Sequence, residues 1–195
     1  MLNFLKEHSY ESVKMFVTQF AISIFGLVLS LACNLAENNT LGLFCSCFAV
    51  LFYLFLLYTS AWEVGSKHQI PVQYGHRPSQ PLLGLYISLL ANSINILMAI
   101  FFTLGVLFPN VAFLHDLGVL GGSIAIATQA MYAEILTIQV GVAAAPLNTL
   151  WFMYFLITVP AMITCTVGYY FGLKNIKFTK LFDAKPTNGE QKKDK

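Results

Sequence analysis

Charged residues are scarce in this chain. Asp, Glu, Lys and Arg make up 10% of its 195 residues, whereas hydrophobic residues make up 57%. Soluble domains carry roughly a quarter of their residues as charged side chains, because such side chains cover the surface that faces water. The net charge of +2 is also too small to indicate nucleic acid as a partner. The composition therefore predicts an integral membrane protein whose main partner is the lipid bilayer.

The sequence also lacks the motifs of common enzyme chemistries. It contains no phosphate-binding loop with a lysine, no HExxH zinc motif and no GxSxG nucleophile elbow. The four cysteines include no CxxC pair, and Cys45 and Cys47 are two residues apart, which directs them to different sides of a helix. We therefore expect no catalytic residue, no metal and no cofactor, and we interpret the cysteines as small apolar residues without a redox role.

Lysine and arginine are absent from two long parts of the sequence, residues 15–66 and 78–173. Uncharged runs of about 20 residues or more within these parts can cross a hydrocarbon core of about 30 Å at about 1.5 Å per residue. Residues 1–173 are therefore expected to form a single membrane-embedded helical domain. We predict four spans, at about residues 15–34, 41–62, 82–108 and 147–173.

The positions of the 11 cations predict the orientation of these spans. Two lie before the first span, two lie in the central loop at residues 62–81, and seven lie beyond Leu173. Cytoplasmic loops carry an excess of Lys and Arg, and four spans place every cation and both termini on the cytoplasmic side. We therefore expect a multi-pass protein of the cell membrane, with a lysine-rich cytoplasmic tail at residues 174–195 that is disordered at its end.

A further apolar stretch, residues 118–145, contains a single charged residue, Glu134. A fifth span here would move the lysine-rich tail to the outside, so this stretch is expected not to cross. We predict a helical segment that is interfacial or re-entrant, with a bend at Gly121 and Gly122. Small and polar residues from Ser123 to Gly141, at steps of three and four, predict one helix face with Glu134 in its middle.

The predicted fold class is therefore an all-α integral membrane protein. Its core is a four-helix transmembrane bundle, and the interfacial or re-entrant segment lies between the third and fourth spans. Gly168 and Gly172 form a GxxxG pattern in the last span, which predicts close packing of helices. We expect this packing within the monomer, and the alternative is contact with a membrane protein partner or a second copy of the chain.

Three polar residues at membrane depth are candidates for ligand binding. Asn92 and Asn95 are amides within the third span, and they require hydrogen-bond partners there, for which Gln19 is a candidate. Glu134 is an acid in an apolar stretch, and such residues are functional-site hypotheses by default. The alternative for Glu134 is a position that faces water at the outer surface.

The central loop contains the other polar cluster. Glu63 and Lys67 can pair if the second helix continues beyond the membrane. His68, His76 and Arg77 can converge if the chain turns back on itself. Glu63 with the two histidines can then bind a metal, and Arg77 with Lys67 can hold a phosphate or a lipid head group. The alternative is a solvated loop whose positive charge serves only to orient the protein.

Three strings carry a resemblance: WEVGSK at 62–67, GLYISLLAN at 84–92 and GYYFGLKN at 168–175. They resemble strings in uncharacterised small multi-spanning membrane proteins of Gram-positive bacteria, and the resemblance covers most of the chain. It implies a bacterial cytoplasmic membrane and assigns no activity to any residue. Two functions stay open. One is a non-enzymatic accessory or partner subunit of a membrane transport or envelope complex, and the other is a small solute or ion carrier with a site near Asn92, Asn95 and Glu134.

Overall fold

The computed structural model describes residues 2–35, 39–76, 78–140 and 145–176. These residues are almost entirely helical. Two-residue strands, β1 (Gln139–Val140) and β2 (Ala145–Pro146), pair antiparallel, and short 3₁₀ turns lie at Ala130–Tyr132 and Leu147–Thr149. The α-helices are α1 (Leu2–Leu35), α2 (Asn39–Gln73), α3 (Leu83–Ala91), α4 (Ser93–Leu107), α5 (Ala112–Thr128), α6 (Ala133–Leu136), α7 (Met153–Leu156) and α8 (Val159–Leu173).

Three segments are long and apolar enough to cross a membrane: His8–Cys33, Thr40–Gln73 and Met153–Leu173. Two bent pairs raise the number of candidate spans to five if each pair counts as one. The pair α3 and α4 bends by 59°, and the pair formed by α5 and residues 130–136 bends by 87°. The prediction of a helical membrane protein is confirmed at this level. Within the predicted span at 82–108 the helix is broken at Asn92, which separates α3 from α4.

Helices α1 and α2 form an antiparallel hairpin. The Lys14 ammonium lies 3.3 Å from the Glu63 carboxylate near one end. Near the other end, the Sγ atoms of Cys33 and Cys45 are 3.6 Å apart. The loop expected to begin at Trp62 begins only after Gln73, because α2 continues and is supported by an i,i+4 pair between Glu63 and Lys67.

Glycines bring the backbones of α8 and α2 into direct contact. A Cβ atom added at Gly168 would lie 2.7 Å from the Tyr58 carbonyl oxygen, and Gly172 lies against the Trp62 carbonyl. Because Gly168 lies against Tyr58 and Gly172, four residues later, lies against Trp62, also four residues later, α8 runs parallel to α2. The GxxxG pattern therefore packs within the monomer, as predicted. Pro160 lies at the beginning of α8, where its missing N–H breaks no helical hydrogen bond.

One end of the bundle gathers the beginning of α1, the end of α2, the beginning of α3 and the end of α8. The Ser12 hydroxyl lies 3.3 Å from the Ile87 carbonyl, and Met15 Sδ lies 3.9 Å from Cys165 Sγ. The salt bridge from Lys14 to Glu63 lies at the same end. We refer to it as the lysine end of the bundle, because Lys14, Lys67 and Lys174 all lie there.

Helices α4 and α5 form a second antiparallel hairpin. A Cβ atom added at Gly105 would lie 2.5 Å from the Cα atom of Gly118, so the two helices touch through glycine. Gly121 also packs against α4, with Phe101 as a neighbour, inside an unbroken helix. The predicted bend at Gly121 and Gly122 is therefore wrong. The bend lies at Gln129, whose backbone (φ −129°, ψ 32°) leaves the helical region.

After this bend, residues 130–136 lie across α1 and α2. A Cβ atom added at Gly26 of α1 would lie 2.6 Å from the Cα atom of Met131. The Ser46 hydroxyl of α2 donates a hydrogen bond to the Met131 carbonyl. The single helix face expected from Ser123 to Gly141 does not form over the described part of this range, because the 87° bend separates Ser123 from Glu134, and Gly141 lies outside the described residues.

Candidate functional site

Asn92 and Asn95 lie at the junction between α3 and α4. Asn92 is the residue between the two helices, and Asn95 belongs to the first turn of α4. Both side chains are buried, with 3% and 0% of their surface exposed. The expectation that these amides are buried inside the bundle is confirmed.

A chain of hydrogen bonds connects the two amides with two other helices. The Asn92 side-chain amide donates to the Ser88 carbonyl (3.0 Å), and the Asn95 amide donates to Asn92 Oδ1 (3.1 Å). The Thr128 hydroxyl of α5 donates to Asn95 Oδ1 (2.9 Å). The Ser23 hydroxyl of α1 donates to the Thr128 carbonyl. We call Ser23, Asn92, Asn95 and Thr128 the amide network.

The Thr128 hydroxyl has a choice of partners. Its oxygen lies 2.9 Å from Asn95 Oδ1 and 3.0 Å from the Ile124 carbonyl. A hydroxyl carries a single hydrogen, so it satisfies one acceptor at a time and can exchange them by rotation. This arrangement can release Asn95 Oδ1 to another donor or to a cation without leaving the hydroxyl unsatisfied.

The partner of the amides is Thr128 rather than Gln19, the candidate from the sequence. Gln19 is itself buried on α1, one helical turn before Ser23. Thr128 and Gln129 were not among the site residues predicted from the sequence. Two adjacent polar residues at the end of an apolar helix are the signal that could have identified them.

Two buried polar groups in the residues that follow Thr128 have no hydrogen-bond partner within the described residues. They are the Gln129 Nε2 atom and the Tyr132 hydroxyl, on side chains that are 2% and 5% exposed. An unsatisfied buried donor costs about 1–3 kcal/mol. Gln129 directly follows Thr128 in the chain, and Tyr132 lies three residues further on.

The chemistry of the amide network follows from its neutral oxygen atoms. Amide, hydroxyl and backbone carbonyl oxygens are ligands for hard cations and hydrogen-bond acceptors for polar solutes. The network lies at two interruptions, Asn92 and Gln129, in otherwise apolar helices. In membrane transporters, interrupted helices at bilayer depth form the sites for substrates and coupling ions.

Glu134 lies apart from the amide network. The Ser30 hydroxyl of α1 donates a hydrogen bond to its carboxylate. A Cβ atom added at Gly42 of α2 would lie 3.5 Å from the same carboxyl group. Ser30 is two helical turns beyond Ser23, which corresponds to about 10 Å along α1. The structure therefore brings Asn92 and Asn95 together and places Glu134 nearer to the turn between α1 and α2.

The predicted loop cluster is divided by the structure. Glu63 binds Lys67 at 2.8 Å and Lys14 at 3.3 Å, on half-exposed side chains. His68 turns into the bundle instead, where its Nδ1 atom lies 3.1 Å from the Tyr169 hydroxyl. His76 is exposed in the turn after α2, and Arg77 lies outside the described residues.

Metal binding is not supported at this cluster. Among the residues that the structure describes, no group of three or more His, Cys, Asp or Glu side chains is arranged to hold a metal ion. The ring of His68 lies instead 5.9 Å from the ring of buried His8, centre to centre. The histidines and acids of this end are thus held by contacts between helices.

A groove of about 410 Å³ opens between the α4–α5 hairpin and the segment before α8. Most of its lining is apolar, with Phe102, Val106, Val119 and Ile126 among its residues. It contains no member of the amide network. The groove therefore suits hydrocarbon rather than a polar ligand.

No protein family model, no curated protein and no solved structure matches this chain. The assignment of candidate residues thus depends on the chemistry and contacts of this chain alone.

Proposed function

We propose that this chain is a non-enzymatic, multi-pass protein of a bacterial cytoplasmic membrane that carries a small polar solute or a cation. The observation on which the proposal depends is the contact between Thr128 and Asn95, which joins two interrupted helices through buried polar side chains. In this proposal the amide network binds the ligand, and Gln129 supplies a further donor.

The contacts support a threading with four spans and a re-entrant segment. Gly118 packs against Gly105, and Thr128 contacts Asn95, so α5 runs back along α4 towards the centre of the bundle. From Thr128 to Glu134 the chain then follows α1 from Ser23 towards Ser30, away from the lysine end. Residues 112–136 thus enter and leave on the same side in this threading. The lysine end, with both ends of the described chain, faces the cytoplasm.

The neutral character of the network defines the class of ligand. No carboxylate takes part in its hydrogen bonds, and no lysine or arginine lies in residues 78–173. A dissociated anion therefore finds no cation to pair with. A neutral solute with several hydrogen-bonding groups, or a monovalent cation that exchanges water for amide oxygens, fits this set.

The interruptions also supply a means of movement. The α4–α5 hairpin is held together by its own glycine contacts, and its backbone connects to the rest of the bundle at Asn92 and Gln129. It also contacts the segment before α8, where the Thr103 hydroxyl lies 3.0 Å from the Trp151 carbonyl and Phe102 packs against Tyr154. In this proposal, rotation at Asn92 and Gln129 with loss of those contacts moves the hairpin as a unit and alters access to the network. Hinges of this kind consist of a few residues at the ends of helices.

The direct test is ligand-dependent thermal stability of the full chain in detergent. The probes are sodium, potassium, neutral amino acids and small sugars, each tested alone. We expect at least one probe to raise the melting temperature of the wild type, and Asn95→Leu to abolish the rise. Asn110→Leu is the matched control, because Asn110 is exposed in the α4–α5 turn and keeps the response. If no probe stabilises the wild type, or if Asn95→Leu responds equally, the carrier proposal is wrong.

A second candidate function, the partner subunit of a transport or envelope complex, is favoured by the exposed face of α5. Phe113 and Val119 are 69% and 58% exposed on a hairpin that extends from the bundle. Such a face can pack against lipid, a membrane protein partner or a second copy of the chain. Purification in mild detergent distinguishes these functions, since a stoichiometric partner that requires this face supports a subunit.

A further inference from the structure

Two thiols, one on α1 and one on α2, are in contact near the connected ends of these helices. The Sγ atoms of Cys33 and Cys45 lie 3.6 Å apart, which is a direct contact between sulfur atoms. Cys33 is 6% exposed, and Cys45 is partly exposed. Both residues lie near the end of the hairpin that is opposite to the salt bridge of Lys14 and Glu63.

The backbones of the two helices are close at this point. A Cβ atom added at Gly42, one turn before Cys45, would lie 3.6 Å from Cys33 Cβ. No bulky side chain therefore separates the helices at the level of the thiols. The S–S bond of a disulfide is about 2.05 Å long, so the sulfur atoms need to approach by only about 1.5 Å.

We propose that Cys33 and Cys45 are a redox-sensitive pair that forms an intramolecular disulfide between α1 and α2. This assignment replaces the interpretation of these two residues as inert. The formation of the bond depends on the contact alone. Its occurrence in cells rests on the proposed threading, which places this end outside the cytoplasm, where disulfides form and persist.

The reaction is a thiol–disulfide exchange with a small-molecule disulfide such as oxidised glutathione. The thiolate of the more exposed Cys45 attacks one sulfur of the oxidant and releases one glutathione thiolate. Cys33, after loss of its proton, then attacks the Cys45 sulfur of the mixed disulfide and releases the second glutathione. The two protein thiols lose two electrons and two protons, and the oxidant becomes two glutathione molecules.

The proposed disulfide between Cys33 and Cys45 would restrict the segment that carries Glu134. A Cβ atom added at Gly42 would lie 3.6 Å from Cys33 Cβ and 3.5 Å from the Glu134 carboxyl group, so Cys33 and Glu134 border the same glycine. A link between α1 and α2 fixes the separation of the two helices on which residues 130–136 lie. Oxidation is therefore expected to restrict this segment, whereas reduction allows the helices to separate.

The first experiment uses the wild-type chain in detergent. The protein is incubated with oxidised glutathione, its remaining thiols are blocked with N-ethylmaleimide, and it is cleaved after glutamate. Glu37 is the only acidic residue between Cys33 and Cys45 in the sequence, so cleavage there separates the two cysteines. We expect the two fragments to stay linked until a reductant is added. Fragments that are separate without reductant would overturn the proposal.

Matched variants identify the cysteines in the bond. Cys47→Ser with Cys165→Ser retains the proposed pair, and Cys45→Ser with Cys165→Ser retains Cys33 with Cys47, which is exposed and two residues away. We expect oxidised glutathione to consume the free thiols of the first variant at least about tenfold faster than those of the second, since only the first variant has two sulfur atoms in contact. Equal rates would show that the contact has no effect and would overturn the proposal.

A third measurement tests the proposed cysteine pair and the proposed threading independently of each other. Cells are treated with N-ethylmaleimide before lysis, so that the redox state in the membrane is preserved. An oxidised pair supports both proposals. If the pair oxidises in detergent but is fully reduced in cells, the pair is supported and the outward placement of this end is overturned. The melting response of Asn95→Leu is independent of both results.

Discussion

The Thr128 hydroxyl lies 2.9 Å from Asn95 Oδ1, although the two residues are 33 positions apart in the chain. The contact joins the first turn of α4 to the last residue of α5. Each helix is interrupted within a few residues of it, at Asn92 and at Gln129. A hydrogen bond between side chains thus holds two helix ends together at the point where the backbone hydrogen bonding of each helix is interrupted.

Loss of the Thr128 hydroxyl is expected to weaken the packing of the two hairpin helices. Thr128→Val preserves the shape of the side chain and removes its bond to Asn95, which should lower the free energy of unfolding by about 0.5–1.5 kcal/mol. Thr166→Val is the control, because within the described part of the chain the Thr166 hydroxyl bonds to the Met162 carbonyl of its own helix and to no other helix. Reversible unfolding in mixed micelles measures both variants. An equal effect of the two would contradict a special role for the contact.

Substitution of Gly168 is expected to disrupt the contact between α8 and α2. A Cβ atom there would lie 2.7 Å from a backbone oxygen, so Gly168→Leu forces the helices apart and should cost about 1–3 kcal/mol or more. Val167→Leu, at a neighbouring exposed position, should change stability little. The same unfolding assay compares the two variants, and a stable Gly168→Leu protein would contradict the packing.

The proposed threading makes a clear prediction for labelling in intact cells. In a chain without its native cysteines, new cysteines at Leu35 and Asn110 should react with a membrane-impermeant maleimide. A cysteine at Tyr74, which is exposed after the end of α2, should react only after permeabilisation. Labelling of position 74 from outside would reverse the orientation, and protection of position 110 would contradict the placement of the α4–α5 turn.

Glu134 is expected to serve structure rather than the amide network. Glu134→Gln retains an oxygen that accepts the Ser30 hydrogen bond, so its stability should be close to that of the wild type. Glu134→Leu removes the acceptor and should lower the free energy of unfolding by about 1–3 kcal/mol. Both variants should retain the ligand response that Asn95→Leu loses. Loss of the ligand response in Glu134→Gln would contradict this prediction and would show that Glu134 contributes to ligand binding.

The features that could be predicted from the sequence are those that depend on composition and short spacing. The long uncharged runs of α1 and α2 indicate their helices, and four-residue steps indicate the pair of Glu63 with Lys67 and the glycine contact at Gly168. Each of these follows from helical geometry, in which residues three and four apart share a face.

The interruptions could not be predicted in the same way. Asn92 and Gln129 lie in apolar runs without an adjacent proline or glycine, and the bonds that stabilise the breaks come from distant residues such as Thr128 and Ser23. Gly121 and Gly122 misled the prediction, because glycine in a membrane helix often serves close approach rather than a bend. For Asn92 and Asn95, burial was predictable from their apolar surroundings, whereas the identity of their partner was not.

The length of α2 has a consequence for what the protein presents beyond the bilayer. With 35 residues it measures about 52 Å, whereas the hydrocarbon core is about 30 Å thick. The first helix accompanies it over the excess, since Lys14 contacts Glu63 and His8 contacts His68. In the proposed threading this excess projects from the bilayer at the lysine end, with the end of α8 packed beside it, and a soluble protein that approaches this face meets the projecting helices before the lipid.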